Sequence, residues 1–213
     1  MSNLTSHDEL RAVYRPPTAG PLEKVIHTLD EHCVDFLAKS PFMVLSTAST
    51  DGTVDGSPRG GEPGFVSAID DLRVAWADLS GNNRLDSFEN IVTNPAVALL
   101  FMIPGLDETL RINGTAELST DPELCESLSV GSRPAKVAVV VTIAEAYVHC
   151  NKAFRRSSLW DHGSWLAEDA IPDAATMYKA HAAEVLKDLS TNDISVALEE
   201  DTKATMWTPG GDS

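Results

Sequence analysis

Between Gly56 and Gly64, four glycines and two prolines surround a single arginine, Arg59. Glycines let backbone N–H groups approach a ligand closely, and a guanidinium suits an anion. The same composition also describes an ordinary turn with a solvated arginine, and composition alone favours the turn. A second stretch, Gly81-Asn82-Asn83-Arg84, precedes an apolar helical pattern. A cation in a first helical turn opposes the helix dipole, unless an anion sits there with the free N–H groups. A capped helix with an exposed Arg84 explains the stretch equally well. In a third, Thr109-Leu110-Arg111-Ile112-Asn113-Gly114, alternation sends Leu110 and Ile112 to one face of a strand and Thr109, Arg111 and Asn113 to the other. The polar face is either solvated or meets a ligand or partner subunit. Finally, Lys152, Arg155 and Arg156 form the densest positive patch of the chain and could supply cations to a phosphate; taken alone, the patch reads as a solubilising turn.

Other chemistries find less support. No Cys-x-x-Cys or His-Glu-x-x-His spacing suggests a zinc site, and the six histidines do not cluster. His149 and Cys150 are neighbours, so on a strand they point to opposite faces. No Gly-x-Gly-x-x-Gly opens a helix, and there is no Walker loop. Trp76, Trp160 and Trp165 suit a core or interface better than a stacking platform. Across 213 residues the net charge is −16, from 32 acidic and 16 basic side chains. That balance argues against nucleic acid and against an anionic membrane surface. Three cysteines without a framework spacing, a polar N-terminus and no long apolar run lead to the expectation of a cytoplasmic protein with no membrane span.

These residues need elements to position them. Residues 1–20 read as an arm kept extended by Arg15-Pro16-Pro17, followed by a single domain over 21–213. A helix is expected from Pro21 to Leu37, ended by Ser40-Pro41. Strands are expected at 42–47, 65–69, 72–76, 96–103, 109–118 and 135–148, with 96–103 buried on both faces. A helix over 82–93, capped by Asn82 or Asn83, separates the first group of strands from the second. Another helix covers 174–186 within an extension of about 157–213, and the chain frays from Thr208. About six or seven strands without regular strand–helix alternation point to an antiparallel barrel with flanking helices, mainly β within the α+β class, and not to a doubly wound parallel sheet.

The order of these features resembles the FMN-binding split β-barrel family typified by pyridoxamine 5′-phosphate oxidase. The likeness rests on Trp76 through Arg84, Asn94-Pro95, Ala98-Leu99-Leu100-Phe101 and Thr109 to Glu117, where Arg-hydrophobic-x-Gly-x-Ala-Glu recurs. It extends back to Phe42 and forward to Lys152. Ser57-Pro58-Arg59-Gly60-Gly61, Gly64-Phe65-Val66 and Tyr147-x-His149-Cys150-x-Lys152-Ala153 look like an uncharacterised flavoprotein subgroup of it. The resemblance implies an antiparallel, Greek-key-like barrel with flavin mononucleotide (FMN) held between two subunits of a homodimer. It places Arg59 as a strand arginine at the phosphate and ribityl chain, Asn83 and Arg84 near the phosphate motif, and the backbone around Phe65 and Val66 along the ring edge, with Ser57, Gly60 and Asn82 as further cofactor-binding residues. Thr109 falls where a partner's Gln meets the ring, with Arg111 two residues on, and Lys152 and Arg155 would reach across from the neighbour. The sequence departs from the pattern after Arg84, where Leu85 and Asp86 replace the family's basic pair, and it lacks the terminal Trp and Arg motif.

An FMN-dependent oxidoreductase acting on a small molecule is therefore the expected function, with pyridoxamine-phosphate oxidation itself disfavoured. Two alternatives stand beside it: a flavin- or haem-binding or redox-sensing module without turnover, and a deazaflavin-dependent reductase.

Overall fold

The computed structural model describes residues 3–211. Three helices precede the sheet: α1 (His7–Val13), α2 (Ala19–Glu23) and α3 (Glu31–Lys39). Strands β1 (Phe42–Ala48), β2 (Val54–Gly60), β3 (Ser67–Ala68) and β4 (Arg73–Ala77) follow. After them come α4 (Asp86–Thr93), β5 (Ala96–Met102), β6 (Thr109–Ser119), α5 (Pro122–Ser127) and β7 (Ala138–His149). The chain ends with α6 (Lys152–Ser157), α7 (Ala174–His181), α8 (Ala183–Leu186) and α9 (Thr191–Thr205). All seven strands form one antiparallel sheet in the order β2-β1-β5-β6-β7-β4-β3. It is the split-barrel architecture expected from the sequence. The sheet's two ends, β2 and β3, do not pair with each other, so a split runs between them.

The core lies on the concave face. Met43 and Leu45 of β1, Leu99 and Phe101 of β5, Leu110 and Ile112 of β6 and Val139 and Val141 of β7 are almost fully buried, and Leu37 of α3 and Ile91 of α4 close the ends. On β5 the burial alternates: Val97, Leu99 and Phe101 are buried, while Ala98, Leu100 and Met102 are half-buried. The expectation of burial on both faces is thus corrected, because no element of the chain covers the outer face of β5 completely. In β6 a bulge falls between Asn113 and Gly114. A Cβ at Gly114 would lie 2.0 Å from Thr142 O, so only glycine lets β7 approach this closely.

Several elements differ from the sequence expectation. The arm contains α1, whose capping box pairs Ser6 with Glu9. The helix expected over Pro21–Leu37 is broken. Ile26 instead exchanges hydrogen bonds with Ala146 at the sheet (3.0 and 2.8 Å), and Asp30 caps a new helix through Cys33 N. Satisfied sheet bonds and a good cap outweigh the apolar periodicity there. Residues 56–60, a loop by composition but a strand by the family resemblance, are strand; β2 is an edge strand, which tolerates Pro58 because its missing N–H faces no neighbour. The strand expected at 65–69 shrinks to Ser67–Ala68. Neither α5 nor the 15-residue α9 was expected, and α9 carries its own capping box from Ser190 to Asp193. Nor does the chain fray from Thr208: Pro209 and Gly210 are buried, and Leu79 pairs with Pro209. No helix among the described residues is long and apolar enough to cross a membrane.

Candidate functional site

Beside the split, β2 and the residues at and after the end of β4 bound a cleft. Pairing sets which side chains reach it. Asp55, Ser57 and Arg59 lie opposite Thr47, Leu45 and Met43, so they share the concave face of the sheet. Since β2 is the last strand on this side, their outer ends project past the core into the split. There Ser57 and Arg59 meet the loop after β4, and a cavity of 260 Å³ is lined by Asp55, Ser57, Arg59, Asn82, Asn83 and Arg84 among others. A second cavity of 410 Å³ continues from it past Gly60, Phe65, Trp76 and Ser80 to α9. Arg59 and Asn82 line both.

Arg59 is the pivot of this cleft. Its Nη2 donates to Ser87 Oγ at 3.4 Å, and Ser87 in turn donates to Asp55 Oδ2 at 2.6 Å. Its guanidinium carbon lies 5.7 Å from the centre of the Phe88 ring. Yet Arg59 Nε is buried without a hydrogen-bond partner, and so is Ser80 Oγ on the neighbouring wall. An orphaned buried donor costs about 1–3 kcal/mol. Two such groups in one cleft, beside a positive charge, fit an anion that supplies the missing acceptors.

Asp78 opposes that charge balance. Burial raises its carboxyl above the usual carboxylate range, with the Arg59 charge pulling the other way. The fold therefore holds this proton more tightly than the unfolded chain does. Its contribution to stability is complete below the ordinary carboxylate value and is lost as pH rises through the raised one. Asp78→Asn should melt roughly 1–3 °C higher at pH 7, with the gain shrinking toward pH 4. Thermal scans at both pH values check this; equal shifts at the two would show that Asp78 is not the titrating group.

The helix expected over 82–93 begins only at Asp86. Leu85, at its N-cap, takes a left-handed backbone (φ 61°) and gives no side-chain cap. Asn82 Oδ1 instead accepts from Arg84 N at 3.1 Å, holding the turn before the helix. Arg84 consequently lies outside the helix, and its Nε bonds Asp86 Oδ2 at 2.8 Å. Its side chain is 71% exposed, unlike that of Arg59.

The remaining sequence candidates lie elsewhere. The Val66 side chain is buried in the core, next to Phe65 at the cleft. Arg111 lies opposite Leu100, and Leu100 opposite Val44, on the convex face of the sheet. Thr109, Arg111, His149, Cys150, Ala153 and Phe154 line a separate cavity of 350 Å³ on that face. Thr109 is buried there, and Arg111 Nη1 donates to Tyr147 Oη at 3.2 Å. Lys152 opens α6, and Arg155 on the same helix pairs with Asp107 at 3.1 Å. The structure thus joins Ser57, Arg59, Gly60, Phe65, Asn82, Asn83 and Arg84 at the split, and sets Thr109 and Arg111 behind the sheet. Sequence reasoning missed Asp55, Asp78, Ser80 and Ser87. For Ser80 a signal existed, since it directly precedes the singled-out Gly81; Asp55 became visible through the register of β2, and Asp78 and Ser87 only through the tertiary fold that brings the β4 loop and α4 to Arg59.

A family profile described as pyridoxamine 5′-phosphate oxidase matches residues 29–150. Those residues run from just before α3 to just after β7 and include the cleft's β2 and β4 walls. Among solved structures, HupZ of Group A Streptococcus is 15% identical over 56% of this chain and 93% of its own, with a TM-score of 0.46. A putative pyridoxamine 5′-phosphate oxidase from Lactobacillus delbrueckii is 20% identical over 57% and 95%, at 0.45. An FMN-binding protein from Syntrophomonas wolfei is 15% identical over 55% and 87%, at 0.38. No curated protein sequence matches the chain.

Proposed function

Since this chain belongs to the pyridoxamine 5′-phosphate oxidase family, we propose that it binds FMN in the split and acts as an oxidoreductase on a small molecule. The observation that carries the reading is the pair of unsatisfied buried groups, Arg59 Nε and Ser80 Oγ, at one cleft. Arg59 would hold the phosphate, with Ser87 and Asp55 orienting its guanidinium from behind. Ser80 would add a hydroxyl donor in the larger cavity, Ser57 lines the smaller one, and Asn82 lines both. Phe65 would flank the apolar part of the ligand. The flavin itself supplies the electron and hydride transfer, and the chain supplies position and electrostatics.

A homodimer belongs to the same proposal. Arg59 and Arg111 occupy opposite faces of one sheet, so a single chain cannot direct both at one ligand. A second copy presenting Thr109, Arg111, Lys152 and Arg155 to the first copy's split would complete the site.

The two cleft arginines are not equal. Arg84 already holds a surface ion pair with Asp86, and exposed pairs are worth about 0–1 kcal/mol. Arg84→Ala should therefore weaken FMN binding by less than about fivefold, as read by titrating the apoprotein and following flavin fluorescence. A loss as large as that for Arg59→Ala would reverse the ranking of the two residues.

The test of the whole reading is the absorbance spectrum of the purified protein, with any released cofactor identified by mass. Flavin bands and the mass of FMN are expected, and bleaching by NAD(P)H or a candidate substrate without air would show turnover. A colourless protein that takes up no added FMN would overturn the reading; the mass of a deazaflavin would replace the cofactor.

A further inference from the structure

The C-terminal segment lies beyond the residues matched by the family profile, which end at 150. It nevertheless builds one wall of the Arg59 cleft. The last turn of α9 brings Asp201, Thr202 and Thr205 to the 410 Å³ cavity that Arg59 and Ser80 line from the other side. The chain then returns alongside the β4 loop. Ser80 N donates to Thr208 O at 2.9 Å and Gly210 N to Asp78 O at 3.1 Å. A Cβ at Gly210 would fall 1.9 Å from Asp78 Oδ2, so the tail passes directly against the Asp78 carboxylate.

The two walls differ in hydrogen-bonding character. Thr202 Oγ1 donates its one proton to Leu198 O, and Thr205 Oγ1 donates its own to Asp201 O, both at 2.8 Å. A hydroxyl has one proton and two lone pairs, so each threonine has only acceptor capacity left. The Asp201 carboxylate, also an acceptor when ionised, pairs with no other described residue. Across the cavity, Arg59 and Ser80 hold unsatisfied donors. The ligand this arrangement complements carries acceptors at one end and donors at the other.

We propose that α9 and its tail form a polyol-recognition wall. A phosphomonoester binds at Arg59 and Ser80, and the hydroxyls of its chain donate to Asp201, Thr202 and Thr205. Resting on the FMN reading, this assigns the ribityl hydroxyls to residues 201–205. The C-terminal segment is then a specificity element of the site, and not a cover laid over it.

The test compares ribitol 5-phosphate, inorganic phosphate and FMN by calorimetry on the full chain and on Asp201→Ala/Thr205→Val. Wild type should prefer ribitol 5-phosphate over inorganic phosphate by roughly tenfold or more. In the double variant that preference should collapse while inorganic phosphate binds as before. An unchanged melting temperature shows that the double variant folds. A wild-type chain with no preference, or a variant that keeps it, overturns the wall. If ribitol 5-phosphate binds with the expected preference and FMN does not bind, the wall stands and the flavin reading falls. If FMN binds equally well to wild type and the double variant, the flavin reading stands and the wall falls.

Discussion

Arg59→Ala should weaken FMN binding by roughly tenfold to a hundredfold or more, because it removes a charge-assisted contact worth about 1.5–3 kcal/mol. Riboflavin, which lacks the phosphate, should lose much less, so the ratio of the two affinities is the decisive readout. Arg59→Lys should recover part of the loss, since it restores charge without the planar fork. Three features of the structure raise the expected effect above that of an ordinary surface arginine. The side chain is half-buried, it is braced by Ser87 and Phe88, and its Nε lacks a partner. An apoprotein titration in which FMN and riboflavin weaken equally would place the phosphate elsewhere.

Phe101→Ala should destabilise the fold by about 3–5 kcal/mol, a large share of the 5–15 kcal/mol that holds a typical domain together. Phe101 is fully buried and lies between Met43 of β1 and Leu110 of β6, each almost fully buried as well. In a chain of this length the melting temperature should fall by roughly 6–20 °C. Phe101→Leu, which keeps most of the volume, should cost about a third as much. Denaturant unfolding of both variants checks the ratio; a small loss for alanine would mean that β5 is looser than its burial indicates.

How far the sequence disclosed this molecule depends on the kind of signal. Strands β1, β5, β6 and β7 were legible because apolar residues recur along them, and a strand with one buried face writes itself as alternation. The register that places Arg59 on the concave face and Arg111 on the convex one was not legible, because pairing is a long-range property. β2 was hidden by its glycines and Pro58, residues that an edge position tolerates and a central one does not. α9 was missed for a different reason: of its apolar residues only Ile194 is buried, so the usual stripe is absent and its capping box was the available clue. As for the site, the Arg59 and Asn82 stretches stood out by composition, but their standing above an ordinary turn came from the family resemblance. The wall that α9 contributes had neither signal, since threonine and aspartate on a helix read simply as a solvated face.

The unpaired ends of the sheet carry a last consequence. A strand left without a neighbour is where a β-structure opens most easily. Here that weak point coincides with the cleft, as β2 forms one of its banks. A ligand lodged in the cleft touches β2 on one side and the end of β4 on the other and acts as a removable rivet, adding about 2.7 kcal/mol when present at a hundred times its dissociation constant. On the FMN reading, backbone amides of β2 should exchange slowly with solvent in loaded molecules and quickly in empty ones.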